Sequence, residues 1–563
     1  IKTARTALTR ILDRLPAQTA QQRTRVRRQL REQLPAFAAF DASLRRFLLG
    51  DIPWRIWLEP LLLWGTLILL TYIVLMSFNV LIFRQWAYNE RLTYPLAQLP
   101  ELLVGKDTDE NDSGDIIPPI YKSGLFWTGF AISAAVLGWN LLCAANINPR
   151  LQPLDLRNLW QPYIKNSPLE ALLPSARSSV FFTLIGLTFL IPANISFSLW
   201  FFYVLYMVQL LVMVALGYGV NENSFPREWW YTFSFCTAEG GGALMVFAAA
   251  VLYKCRRYLF CFFRPASLRG LDKPEQTELR VSSFLFLFGS LGVVLMLWRA
   301  MGANLFYTVF VYFGILVLTI GLVRAVTEGG ILGFQAWASP FHFIRSLVGM
   351  NKSWTSPSLF APLLVYYSIL FLDLKTFIAP AMANSIKIRD DLKMKRGRFH
   401  FAIWTAIILA VVMSIAFHLM FAYDQGADSM QSWFYTSFPS GLFDKIANMT
   451  KVNPVDKSGG AFWILFGALL MGGLLYFRQM IFWLPHPIGL IMLVNPIMRT
   501  YWFSIFLGWL AKNLVTKYGN KDTYATVRRI FIGLILGEIA IVALALIVSY
   551  VMDIPIGINL NRN

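Results

Sequence analysis

Two glutamates stand directly before glycine clusters in apolar sequence. Glu239 lies in Thr-Ala-Glu-Gly-Gly-Gly-Ala-Leu-Met (237–245) and Glu328 in Val-Thr-Glu-Gly-Gly-Ile-Leu-Gly-Phe (326–334). Glycine weakens a helix and a carboxylate is costly in apolar surroundings, so each stretch breaks two local rules at once. A helix opened by glycine beside a carboxylate can bind a proton or a cation. Glu239 with Gly240 and Gly241, and Glu328 with Gly329 and Gly330, are therefore candidates for a solute or ion pathway. The competing reading places each glutamate at a solvated, capped helix end. Arg324 lies four residues before Glu328, on the same face of a helix. Pairing between them would argue against a proton-carrying role for Glu328.

Other polar residues interrupt the apolar sequence. In Asn-Glu-Arg-Leu-Thr-Tyr-Pro-Leu-Ala-Gln-Leu-Pro (89–100), Pro95 and Pro100 forbid a regular helix throughout, Glu90 and Arg91 can satisfy each other, and Tyr94 offers a hydroxyl and a ring. Asp373 and Lys375 sit two residues apart, which does not bring them face to face on a helix, and an interfacial position is favoured. Glu538 falls in the middle of the last apolar run, and Arg478, Pro485, His486 and Pro487 form a kinked polar patch. A single histidine in such a patch is expected to pack through a hydrogen bond. No Gly-x-Ser-x-Gly, Walker A or His-Glu-x-x-His pattern occurs, so neither a catalytic constellation nor an enzyme is indicated. Four cysteines without a CxxC pair and four scattered histidines indicate no disulfide, metal site or cofactor.

The elements that must carry these residues are membrane helices. The 563 residues are 56% hydrophobic and only 14% charged, and the mean hydropathy is +0.54. Many apolar runs approach the roughly 20 residues that cross a bilayer, and they are continuous, unlike the alternation of a β-barrel. The fold class expected is all-α, a polytopic integral membrane bundle of roughly ten to fourteen spans or re-entrant segments with glycine- and proline-broken helices. Candidate spans are 57–83, 124–147, 178–219 in two pieces broken near Pro192, 232–253, 281–301, 304–325, 357–386, 399–422, 461–480 and 526–551. The stretches 327–350 and 481–511 read as hairpins or re-entrant elements.

The organisation is then a basic extramembrane helical region (1–56), a first membrane half (57–253), a basic connection (254–280), a second membrane half (281–551) and a short tail (552–563). The net charge of +19 gathers in connections at 254–280, 387–398 and 512–529, expected in the cytoplasm by the positive-inside rule. Nucleic acid is not an expected partner, since no recognition motif accompanies the charge. The loop 106–115 is acidic, and 423–460, polar and mixed, is expected outside; the parity of the first half does not close, so its topology stays open.

The Arg-Leu-Thr-Tyr-Pro of 91–95 resembles the Leu-Thr-Tyr/Phe-Pro motif of the oligopeptide transporter superfamily, which includes the yellow-stripe-like metal-chelate branch. The Glu-Gly-Gly of 328–330 and the Gly-Leu-Ile-Leu-Gly-Glu of 533–538 are similar to that superfamily's later segments. Ile-Pro-Trp-Arg-Ile-Trp-Leu-Glu-Pro-Leu-Leu-Leu-Trp (52–64) and Ser-Phe-Ser-Leu-Trp-Phe-Phe (196–202) resemble its uncharacterised bacterial and archaeal relatives. The chain departs from the common pattern after Tyr-Pro, where Leu96-Ala97-Gln98 replaces Ser/Gly-Gly/Thr. The resemblance implies proton-coupled secondary transport of peptides or metal chelates in a prokaryotic cytoplasmic membrane. It touches Thr93, Tyr94, Pro95, Glu328, Gly329, Gly330 and Glu538. The expected reading is a transporter of a small organic solute driven by protons, with glycine-broken helices at Glu328 and Glu239 and with Tyr94 and Glu538 lining or gating the path. Membrane lipids and a homo-oligomer or partner membrane subunits are compatible with it. The alternative is a non-transporting integral subunit of a larger membrane assembly.

Overall fold

A computed structural model of the chain describes residues 52–552 apart from 105–117, 146–149, 158, 168, 173–176, 218–226, 229–230, 233–234, 265–267, 331–338, 348–356, 372–376, 427–429, 431–432, 450–459, 482 and 495–496. The basic region expected at 1–56 lies outside these residues up to 51, as do the loop 106–115 and Asp373 and Lys375. Long apolar runs close their backbone hydrogen bonds internally, and the described residues are accordingly almost all helix. The two-residue strands Arg227–Glu228 and Tyr231–Thr232 pair antiparallel.

In chain order the helices are α1 (Trp54–Arg84), α2 (Pro95–Val104), α3 (Gly124–Ala144), α4 (Phe182–Leu190), α5 (Ala193–Ala215), α6 (Phe235–Leu259), α7 (Lys273–Leu295), α8 (Leu305–Gly329), α9 (Pro340–Leu347), α10 (Pro357–Phe371), α11 (Ile378–Asp391), α12 (Arg396–Gln425), α13 (Phe438–Met449), α14 (Gly460–Phe477), α15 (Pro487–Ile491), α16 (Met498–Tyr518) and α17 (Lys521–Met552). Nine helices among the described residues are long and apolar enough to cross a membrane: α1, α3, α5, α6, α7, α8, α12, α14 and α17. The protein is thus an all-α polytopic helical bundle of the integral membrane kind. The span expected at 357–386 is not one helix but the separate α10 and α11. The connection expected at 254–280 is shorter, because α6 runs on to Leu259 and α7 begins at Lys273.

The chain divides into two units, Ile1–Gly65 with Arg396–Gly441, and Thr66–Lys395 with Leu442–Asn563. In the first, the Trp57 indole donates to the Tyr423 hydroxyl at 2.9 Å, which ties the start of α1 to the end of α12. The second unit carries every candidate residue.

Within the second unit, two broken elements pack on each other. Pro192 stops α4 and starts α5, giving a nine-residue helix followed by one of 23. His486 and Pro487 start the five-residue α15, which is followed by the 21-residue α16. The split near Pro192 and the hairpin over 481–511 are thus as the sequence suggests. Short α4 runs parallel to long α16: the Ser504 hydroxyl donates to the Ser179 carbonyl at 2.6 Å, Gly508 lies under Ile185 and Thr188, and the Lys512 ammonium donates to the Ile191 carbonyl at 2.6 Å. Short α15 in turn lies along α5, with the His486 backbone N–H on the Ser198 hydroxyl and Gly489 against Ser198 and Phe202. Between the long helices the order reverses, through ring contacts Phe197–Trp509, Trp200–Phe506 and Tyr203–Trp502. The result is two short-then-long pairs running in opposite directions.

Glycines set the closest helix approaches. A Cβ on Gly129, Gly533 or Gly537 would overlap the backbone of the facing helix where α3 crosses α17. Gly533 and Gly537 form the four-residue repeat that lets membrane helices touch backbone to backbone.

Candidate functional site

The 85–95 segment is built around a buried aromatic. The last turn of α1 widens into a π-turn, Gln85–Asn89, that buries Trp86. Arg91 and Tyr94 then adopt left-handed backbone (φ 52° and 45°) before Pro95 opens α2. That conformation is uncommon for residues other than glycine and persists where its surroundings over-determine it. Here the Leu92 N–H donates to the Trp86 carbonyl at 3.0 Å, the Gln98 amide donates to the Thr93 carbonyl at 2.9 Å, and the Tyr94 ring is 1% exposed, 6.2 Å from that of Phe83. Tyr94, expected to line or gate the path, is thus a buried residue packed on Phe83 within electrostatic reach of Glu90, Arg324 and Glu328.

Those groups converge from three parts of the chain. Arg324 and Glu328 pair along the last turn of α8, Nε to Oε2 at 2.7 Å. Arg324 also meets Glu90, Nη1 to Oε2 at 2.6 Å, and its guanidinium lies 5.2 Å from the centroid of the Trp86 ring. The other Glu328 oxygen lies 3.1 Å from Nε2 of His486. Nδ1 of the same imidazole accepts the Ile488 N–H at 3.3 Å, so His486 caps α15 and faces Glu328 together. One guanidinium thus bridges two carboxylates, and a histidine closes the set. Arg324, Glu328 and His486 are buried. Gly330 makes the convergence possible: it ends α8 with φ 60°, and a Cβ there would come 3.0 Å from Pro95 and 3.1 Å from Ile191.

The sequence suggests the Arg324–Glu328 pair by its spacing, and the structure contains it. The expected Glu90–Arg91 pair is corrected: Glu90 is drawn to the buried Arg324, and Arg91 is exposed. Positions 90, 328 and 486 have no spacing relation, so neither Glu90 nor His486 is identifiable as a partner before folding.

Glu239 is elsewhere and differently placed. The helix expected to break at Gly240 and Gly241 does not: α6 runs unbroken from Phe235 to Leu259. Its glycine cluster serves contact with α14 instead. A Cβ on Gly242 would overlap the Ile464 carbonyl, and one on Gly467 would overlap the carbonyl of Glu239 itself. The solvated reading also fails, because Glu239 is 1% exposed. Its carboxylate is hydrogen-bonded by Gln209 of α5. Cys255, farther along α6, lies within electrostatic reach of Glu90 and Arg324. The 16 residues back to Glu239 (255 − 239) span about 24 Å of helix. One small solute therefore does not bridge Glu239 and Glu328.

Glu538 is a third, separate position. Its Oε2 accepts the Thr183 N–H at 2.5 Å, satisfying a free donor at the start of α4 and complementing the dipole there. It anchors a half-helix. Among the described residues no group of three or more His, Cys, Asp or Glu side chains could hold a metal ion.

Residues 18–559 match the model of a protein family described as a family of unknown function, DUF6785. No curated protein and no solved structure matches the chain.

Proposed function

We propose that this chain, which belongs to the DUF6785 family of unknown function, is a secondary transporter of a small organic solute driven by protons. One observation carries the reading: two oppositely directed hairpins, each a short helix turned back on a long one, meet at a buried ionic cluster. Discontinuous helices whose ends face charged groups are how many secondary transporters build a site that opens to alternate sides. The α4–α5 break at Ile191 touches Gly330, and the α15 cap is His486 on Glu328, so both breaks border the Glu90–Arg324–Glu328–His486 set. A group of paired charges shared by three segments suits a gate, which closes when the pairs form and opens when they part. Glu328 is then an anchor of that gate. The solute class follows the resemblance of 91–95 and 328–330 and is a peptide or a metal chelate.

The test is uptake by proteoliposomes under an imposed proton gradient, with di- and tripeptides and chelated metals as solutes. Saturable uptake of one class, dependent on the gradient, is expected. Glu328→Gln should lower it at least tenfold while the protein still folds and inserts. Unchanged uptake by that variant removes the gate role. No gradient-dependent uptake of any class, with a stoichiometric membrane partner co-purifying, overturns the transporter reading in favour of a structural subunit.

A further inference from the structure

One hydrogen-bonded pair of side chains leaves two buried acceptors without donors. Glu239 Oε2 and Gln209 Oε1 both have no hydrogen-bond partner, although the Gln209 side chain bonds the Glu239 carboxylate. An amide and a carboxylate are both planar, two-ended groups. Once the amide nitrogen donates to one carboxylate oxygen, the amide's own oxygen and the carboxylate's second oxygen are left as acceptors. Two buried acceptors without donors are costly, and a buried carboxylate with no cation is costlier still. A single proton resolves both. Placed on Glu239 Oε2, it turns that oxygen into a donor to Gln209 Oε1 and closes a reciprocal acid–amide ring.

We infer that Glu239 and Gln209 form a proton-binding site, occupied in this conformation, and distinct from the Glu328 cluster. The binding step balances simply: one proton joins Glu239 Oε2, the carboxylate becomes a neutral acid, and no other bond changes. A hard metal cation takes about six oxygens, and two are left unpartnered here. The neighbouring groups leave the proton uncontested. On α6, the Cys236 thiol donates to the Leu493 carbonyl at 3.4 Å. On α5, the ionisable neighbours are the phenols of Tyr203 and Tyr206, and Tyr206 packs on Phe235. Parallel α14 presents Trp463, Ile464 and Gly467, and α8 meets α6 through Gly321 on Leu244, so neither puts an acid or base there. The cations and acids of α8, Arg324 and Glu328, are spent on each other, on Glu90 and on His486. A coupling role for this proton rests on the transport reading, whereas the site itself does not.

The experiment is infrared difference spectroscopy of the purified full chain in lipid, titrated with acid and base, which reads the C=O stretch of a protonated carboxyl. A titrating band present in the native protein, lost in Glu239→Gln and shifted in Gln209→Leu, is the expected result. Because Glu239→Gln keeps a donor facing Gln209 Oε1, it should fold and melt like the native protein. Should that variant fail to fold, the band shift in Gln209→Leu alone decides. A band unchanged in both variants places the proton elsewhere and overturns the site. So does a sodium-dependent rise in melting temperature that Glu239→Gln abolishes. Uptake assays play no part, so the proton site can fail while transport stands, and the reverse.

Discussion

At the scale of single residues, Arg324 holds the most. Its guanidinium is planar and forked and meets carboxylates on two sides over the face of Trp86. Removing one member of a buried charge set leaves the others uncompensated, typically at about 3–5 kcal/mol. Arg324→Met should therefore lower the detergent melting temperature markedly, since two acids would face each other with only His486 to answer them. Arg324→Lys should recover part of the loss, because an ammonium restores the charge and not the fork. Equal melting of Arg324→Met and native protein would mean that the cluster is not formed in the folded protein. Half of this cluster was legible beforehand. The four-residue spacing of Arg324 and Glu328 is a property of a helix and needs no tertiary structure. Glu90 and His486 reach Glu328 and Arg324 only because a left-handed turn, a helix cap and a glycine stop meet, and no local pattern encodes that meeting.

At the scale of elements, one glycine cluster lies inside a helix and the other ends one. Gly329 and Gly330 do end a helix, and the left-handed Gly330 is where the chain turns. Gly240, Gly241 and Gly242 lie inside α6, whose parallel neighbour α14 approaches backbone to backbone at Gly242 and Gly467. Both clusters look alike in sequence, since glycine permits a break and permits contact with equal ease. What decides is the facing helix, and α14 carries its own glycine at the matching level. Gly467→Leu should push α6 and α14 apart, at a cost of about 1–3 kcal/mol or more, that of an overpacked core. Its carbonyl neighbour is Glu239, so the same variant should also disturb the acid–amide pair. A lower melting temperature accompanied by a changed carboxyl band is the expected result. Native-like melting of Gly467→Leu would show that the two helices do not touch there.

Across the whole second unit, the contacts orient the bundle in a way that the charge pattern alone left open. Arg84 at the end of α1 pairs with Glu275 at 2.5 Å, and Arg389 at the end of α11 pairs with Glu278. Glu275 and Glu278 open α7, so the connections at 254–280 and 387–398 lie at one end of the unit. Lys512 reaches Ile191, beside Gly330 and Pro95, which brings the connection at 512–529 to that same end. Three basic segments far apart in sequence thus gather on one side, as a chain obeying the positive-inside rule requires. The first half closes as well: α1 ends at this side, and α3 leaves it in parallel with α17. Lys395 is exposed at the basic end, and Lys165 is exposed beyond the far end of α3. Cys236, Cys255 and Cys261 are buried, so a Cys143→Ser background silences the native thiols. In that background Lys165→Cys should react with a membrane-impermeant thiol reagent on intact cells, and Lys395→Cys only after permeabilisation. Reversed labelling would invert the orientation and keep the fold. Labelling of both from one side would contradict the bundle itself, because Glu239 and the Glu328 cluster could then no longer lie towards opposite faces of the membrane.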